Sequence, residues 1–291
     1  MTNNILKNYN ILITGGCGFV GSSLAKYLSK NNSVSVLDNQ FSGKKIIKKK
    51  NINYFFGSSL EISKIFKNKK NFDFIFHLGE YSRVEQSYDD IDKVIEFNTV
   101  PFYEVLKFAK KNNCKLIYSG SSTRFASYDK NSEMSPYAWS KISNINLLKQ
   151  YSKWFHLSFA VTYFYNVYGD GEINNGKYAT VVAKFLKYKK SNKEFLPIVS
   201  PGTQKRNFTH INDIVSGLEI VALKGTGDGY GIGSDKAYSV IDLAKLLKMH
   251  YKIIDPRKGN RLNGALKTDK TKRLGWKCRS DLKSYIISKI G

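Results

Sequence analysis

Tyr137 and Lys141 stand four residues apart in Ser135-Pro-Tyr-Ala-Trp-Ser-Lys141, so on a helix they share one face, a turn apart. Pro136 suits the first turn of such a helix. A free tyrosine ionises near ~10 and is a poor base at neutral pH. An ammonium one turn away stabilises the phenolate and brings it towards the working range. Taken alone, the pair is an ordinary helix face. Ser119-Gly-Ser-Ser122, at the end of the preceding predicted strand, changes that reading. Ser121 can share a substrate hydroxyl with Tyr137. Base, base-tuner and orienting hydroxyl form an alcohol-oxidising trio: Ser121, Tyr137 and Lys141.

A second constellation lies near the N-terminus, in Ile11-Leu-Ile-Thr-Gly-Gly-Cys-Gly-Phe-Val-Gly-Ser-Ser23. It reads as strand, tight turn and helix. Gly15 permits the turn, Gly18 lets the backbone approach a pyrophosphate, and Gly21 lets helix and strand pack closely. The helix N-terminus, with Phe19 and Val20, then presents N–H groups to phosphates. Asp38 ends the next apolar run, where a carboxylate meets a ribose 2′-OH.

These groups need a scaffold. Strands are predicted at Tyr9–Thr14, Ser33–Asp38, Ile52–Phe56, Phe72–Leu78, Lys115–Ser119 and Leu157–Thr162. Helices are predicted at Gly18–Lys30, up to about Phe66, at Ile91–Lys111 with a bend or break at Pro101, and at Pro136–Phe155. The alternation calls for an α/β fold: a Rossmann-type doubly wound parallel sheet with a smaller C-terminal substrate-binding lobe. Ligands then bind outside the carboxyl ends of the strands, where the unusual clusters fall. Beyond about residue 165 the rhythm changes. Val181–Tyr188 and Asp213–Leu223 read as helices and Pro197–Asn207 as irregular. Residues 1–165 are expected to form the dinucleotide-binding domain, with 206–232 returning to it, and 166–291 the lobe.

Composition narrows the classes. The 291 residues carry 42% hydrophobic content, enough for a full core, and no apolar run approaches membrane-span length. Met1–Lys7 has no signal-peptide core, so a cytoplasmic protein is expected. Cys17, Cys114 and Cys278 are far apart, which argues against disulfides or zinc; Cys17 reads as a small residue filling the turn. The formal charge is +24, yet only seven of 47 basic residues are Arg, and lysine is spread over nearly every segment. That is a solvated surface rather than a nucleic-acid stripe, and no nucleic-acid partner is expected. Four histidines without Glu or Cys at ligand spacing make no metal site. His77 is expected to satisfy backbone groups, and Tyr163-Phe-Tyr165 to be core.

Taken together, the chain resembles the extended short-chain dehydrogenase/reductases of the NAD-dependent nucleotide-sugar epimerase/dehydratase family, closest in kind to UDP-glucose 4-epimerases. Thr14–Gly21 matches its glycine loop, and Asp38-Asn-Gln-Phe-Ser-Gly43 its acidic residue and following loop. His77-Leu-Gly-Glu-Tyr-Ser82 resembles the loop beneath the nicotinamide. Ser119–Ser122, Tyr137 and Lys141 match its catalytic segments, and Asn166-Val-Tyr-Gly169 its substrate-contacting turn. Arg206-Asn-Phe resembles an Arg-Asp-Phe segment whose arginine meets the diphosphate, and Arg257 a second diphosphate ligand.

The resemblance implies NAD as cofactor, held by Gly15, Gly18, Phe19, Val20, Gly21, Asp38, Asn39, Ser58, Leu78, Gly79, Asn98, Ser119, Tyr137, Lys141 and Tyr165. It implies a nucleoside-diphosphate sugar held by Ser82, Ser121, Ser122, Tyr137, Asn166, Arg206 and Arg257. It also implies a homodimer pairing the two long helices, with Leu147, Leu148 and Tyr151 along the interface.

Four positions depart from the family pattern. Ser58 stands for an Asp near adenine, Gly79-Glu80 for a small apolar pair, Pro101 for a Gly and Tyr163 for an Arg. Three activities compete. Epimerisation at C4 needs only the trio. Dehydratases and decarboxylases of the family carry an acidic residue just after the catalytic Ser/Thr, where this chain has Ser122 and Thr123. A net dehydrogenase or ketoreductase shares the first step, and a non-catalytic nucleotide sensor would not need the trio.

Overall fold

The protein is described by a computed structural model covering residues 5–43, 46–68, 71–125, 134–256 and 265–290. Its centre is a seven-stranded sheet. The strands are β1 (Asn10–Thr14), β2 (Ser33–Asp38), β3 (Ile52–Phe56), β4 (Phe74–His77), β5 (Lys115–Ser121), β6 (Phe159–Phe164) and a seventh, Gly227–Ile232. The order across the sheet is seventh, β6, β5, β4, β1, β2, β3, and every pairing is parallel.

A parallel sheet buried on both faces requires alternate side chains to serve different cores. On β1, Ile11 and Ile13 pack on one side with Leu24, Ile214 and Leu218, while Leu12 packs on the other with Phe102, Leu106 and Leu148. β4 repeats this, with Phe74 and Phe76 on the first side and Ile75 on the second. The Phe19–Leu28 and Ile211–Lys224 helices cover the first face; Val100–Lys111 and Pro136–Phe155 cover the second. A third apolar cluster, around Tyr168, Phe185, Leu196, Phe208, Leu243 and Ile286, forms the smaller lobe.

The predicted helix over 91–111 is not continuous. A helical turn at Ile91–Val94 passes through a π-turn at Ile95–Thr99 into Val100–Lys111. Pro101 lacks an N–H, and its ring crowds the carbonyl four residues back, so the ladder widens just upstream. The stretch read as irregular contains two strands. Phe195–Val199 pairs parallel with His250–Ile254, and Lys205–Asn207 pairs antiparallel with Ala237–Ser239. Leu148 is fully buried and Tyr151 is 5% exposed, so both belong to the core rather than to a subunit interface. The exposed apolar residues of the same helices are Val100, Tyr103, Trp139, Trp154 and Phe155. Among the described residues, no helix is long and apolar enough to cross a membrane.

Candidate active site

A cavity of about 510 Å³ opens at the carboxyl ends of the strands. Its size suits a small-molecule ligand. β1 delivers the chain to Gly15, whose φ of +72° strains any residue with a side chain. A Cβ there would meet the Gly79 backbone at 2.7 Å, so the turns after β1 and β4 touch backbone to backbone. At Gly21 a Cβ would strike the Gly15 carbonyl oxygen at 2.2 Å, which is why helix and loop lie so close. Gly18, by contrast, would meet only that carbonyl oxygen, at 3.3 Å, and it faces the cavity. This is the geometry a pyrophosphate needs at a helix N-terminus.

Asp38, at the end of β2, accepts from the Cys17 N–H (2.8 Å) and the Gln40 N–H (2.6 Å). It therefore ties the glycine loop to β2 while lining the cavity. Burial pushes its carboxyl above the usual range, against those two hydrogen bonds. Burial also pushes the Cys17 thiol up to about 12, which leaves it an inert filler. Ser58 accepts from the Leu60 N–H and caps a short 3₁₀ turn at the cavity wall.

Tyr137 and Lys141 sit in the first turns of Pro136–Phe155, whose start is capped by Ser135 accepting from the Ala138 N–H (3.2 Å). Tyr137 is 9% exposed, and with Ser121 and Lys141 it lines the cavity. Lys141 Nζ donates to the Ser119 carbonyl oxygen (2.6 Å), which fixes the ammonium under β5. Ser121 Oγ accepts from the Thr123 N–H (3.2 Å) and the Thr123 hydroxyl (2.9 Å). With its acceptor sites engaged, its own proton is directed to a ligand oxygen.

Of the other expected site residues, Phe19, Val20, Asn39, Leu78, Gly79, Ser82, Ser119, Ser122 and Asn166 line the same cavity. Asn98, Tyr165 and Arg206 do not. Asn98 is fully buried in the π-turn, where it accepts from the Tyr81 N–H (2.6 Å) and donates to the Tyr81 carbonyl (3.2 Å) and Ser140 Oγ (2.9 Å). It holds the Leu78–Ser82 loop from below. Tyr165 donates to the Ala265 carbonyl (3.2 Å) and accepts from the Lys267 N–H (3.0 Å). Arg206 donates to the Lys205 carbonyl. Arg257 lies outside the described residues.

Several neighbours escaped the sequence reading. His77 meets side chains rather than backbone: Nδ1 bonds Thr14 Oγ1 (2.7 Å) and Nε2 lies 3.3 Å from Glu80 Oε1, off the line of a good hydrogen bond. Glu80 forms an ion pair with Lys141. Arg83, Phe41, Tyr178 and Glu172 line the cavity too. Glu172 accepts from the Gly169 N–H (2.9 Å) and the Thr180 hydroxyl (2.5 Å), and burial raises its carboxyl to about 7. The signal for Glu80 and Arg83 was charge placed in a loop that follows a buried strand. Tyr163 is core, bonded to Arg124 and Asp228.

Comparison with known proteins places these features in context. The model of the NAD dependent epimerase/dehydratase family matches residues 11–233. A dTDP-D-glucose 4,6-dehydratase of Dictyostelium discoideum is 31% identical over 268 residues, 81% of this chain, which spans 60% of that relative's length. A UDP-glucuronic acid decarboxylase of Arabidopsis thaliana is 27% identical over 83% of this chain and 74% of its own length. Among solved structures, a UDP-glucose 4-epimerase from Thermotoga maritima with UDP-glucose superposes with a TM-score of 0.87 at 27% identity, covering 97% of this chain and 96% of its own.

Proposed function

The chain belongs to the NAD-dependent epimerase/dehydratase family, and from that premise we propose that it is a nucleotide-sugar 4-epimerase. Its substrate is a nucleoside-diphosphate sugar, and its product is the C4 epimer. The observation that carries the reading is the trio at one cavity wall with no carboxylate directly after Ser121, where Thr123 instead hydrogen-bonds it.

The residues present fit NAD. Gly18 leaves room at the helix N-terminus, and Asp38 is positioned at the end of β2. Gly15, Gly18 and Gly21 would hold the pyrophosphate, Asp38 the adenosine ribose, and Lys141 the nicotinamide ribose. Bound there, NAD supplies a reversible hydride acceptor. Ser121 orients the sugar C4 hydroxyl by donating to its oxygen. Tyr137 takes the hydroxyl proton as C4 is oxidised, and returns it when the 4-keto sugar is reduced on its other face. The closed cavity keeps the C4 hydrogen from exchanging with water.

A second reading, elimination of water, is favoured by one observation: Glu172 is a cavity carboxyl poised at about 7. Both its oxygens are engaged by Gly169 and Thr180, which supports epimerisation instead. A nucleotide sugar carrying deuterium at C4 separates the outcomes. Epimerisation gives an isomer that keeps the label, without free NADH. Loss of one water in the product mass identifies a dehydratase, and stoichiometric NADH in solution a net dehydrogenase. A homodimer built on Val100, Tyr103 and Trp139 is part of the same proposal, supported by their exposure.

A further inference from the structure

Glu80 alters the electrostatics of the trio. Its side chain is only 1% exposed, and besides the ion pair with Lys141 it accepts from Tyr118 Oη (3.0 Å) and Asn144 Nδ2 (3.0 Å). Lys141 and His77 hold its carboxyl below the usual range despite burial, so it is ionised. A carboxylate in contact with an ammonium cancels most of the field that ammonium exerts on a third group. Lys141 therefore reaches Tyr137 as half of a neutral pair.

Arg83 lines the same cavity. Nη1 donates to the Ser82 carbonyl (3.0 Å) and hydroxyl (3.1 Å), Nη2 donates to the Tyr178 carbonyl (2.7 Å), and the guanidinium lies 5.8 Å from the Tyr178 ring centre. All of these partners are neutral. Among the described residues no ion pair involves Arg83; the acids nearest the trio pair elsewhere. Burial pushes the guanidinium below its usual range, and the phenols of Tyr137, Tyr81 and Tyr178 pull it back. An arginine nonetheless stays charged. The cavity thus holds one compensated cation and one uncompensated cation, and the second interacts with Tyr137.

Taking Tyr137 as the base, we propose that Arg83, rather than Lys141, supplies the positive charge that stabilises its phenolate, while Glu80 keeps Lys141 as an electrically neutral hydrogen-bonding partner. Arg83 and Glu80 are positioning residues that act through Tyr137. The groups facing Tyr137 are Arg83 from the loop after β4, Lys141 from its own helix and Tyr118 from β5. Those facing Glu80 are His77, Tyr118, Lys141 and Asn144. Tyr118 is held well above the usual phenol range, by burial and then by Glu80, so it stays neutral as Tyr137 titrates.

The test reads Tyr137 directly. The ultraviolet phenolate absorbance of the full chain minus that of its Tyr137→Phe variant is titrated with pH, without substrate, alongside the acid limb of kcat/KM. Arg83→Gln should move both upward by about one pH unit, a loss of about tenfold in rate below the limb. Arg83→Lys should restore most of the shift. Glu80→Gln should move both downward by about one unit, because the Lys141 charge is then uncovered. Circular dichroism confirms folding, and if Glu80→Gln does not fold the two Arg83 variants decide alone. A Tyr137 titration unmoved by Arg83→Gln, or an upward shift in Glu80→Gln, overturns the proposal. Turnover surviving in Tyr137→Phe overturns the assignment of the base instead, and the absorbance titration still reports whether Arg83 acts on Tyr137.

Discussion

Replacing Asn98 by Ala should weaken both the fold and the cavity. The side chain makes three buried hydrogen bonds: one accepted from the Tyr81 N–H at 2.6 Å, and two donated, to the Tyr81 carbonyl and Ser140 Oγ. Its loss strands the Tyr81 N–H in a residue only 3% exposed, at a cost of about 1–3 kcal/mol. The other two bonds contribute about 1 kcal/mol each, and Ser140 keeps its bond to the Tyr137 carbonyl. The total is about 3–4 kcal/mol, or a fall of about 5–7 °C in Tm for a chain of this size. Melting followed by circular dichroism measures it, with Ser140→Ala, about 1 kcal/mol, as the single-bond control. Leu78–Ser82 lines the cavity, so NAD affinity measured by fluorescence titration should fall several-fold as well. A loss below about 1 kcal/mol would refute the hydrogen-bond accounting. A destabilised protein with unchanged NAD affinity would refute the link between Asn98 and the cavity floor.

Tyr137→Phe should lose all but a few per cent of turnover and still bind NAD, since only the proton acceptor is removed; calorimetry against a rate assay separates the two. NAD should bind more tightly than NADP, because Asp38 repels a 2′-phosphate, and parallel titrations decide it. Glu172 is raised to about 7 when folded, so its proton is held there but lost near pH 4.5 in the unfolded chain. Its contribution is complete below about 4.5 and disappears as pH rises through 7. Glu172→Gln should therefore flatten the fall in stability between pH 5 and 8, by on the order of 1 kcal/mol given its partial exposure, as read from melts at both pH values. Light scattering at micromolar concentration should give a dimer, and Trp139→Lys a monomer.

Local signals were strongest where one element decides its own fate. β2, β3 and Pro136–Phe155 occur at the bounds their patterns predict, because apolar runs and a Ser-Pro start need no distant partner. The trio was readable for the same reason: spacing on one helix plus the end of one strand. What escaped depends on distant pairing. Phe195–Val199 becomes a strand only because His250–Ile254 lies beside it, and neither run alternates cleanly. Leu148 and Tyr151 looked available for an interface, since a helix pattern does not say which of two partners takes its apolar side. Glu80 was visible as an anomaly, but its meaning required Lys141, 61 residues later, to arrive beneath the same strand ends.

The sheet also has a history in time. β6 is flanked on its outer side by Gly227–Ile232, and the Leu6 N–H is held by Glu219 on the helix just before that strand. During synthesis at roughly 5–20 residues per second, the edge of β6 waits roughly 3–13 s for its neighbour to emerge. Throughout that interval a nearly complete sheet presents an open ladder of backbone donors and acceptors, the kind of edge that recruits other strands. Yield in cells should consequently respond to translation speed and chaperone supply between Phe164 and Gly227. A chain cut short of Gly227 is left not with a smaller enzyme but with an adhesive flank.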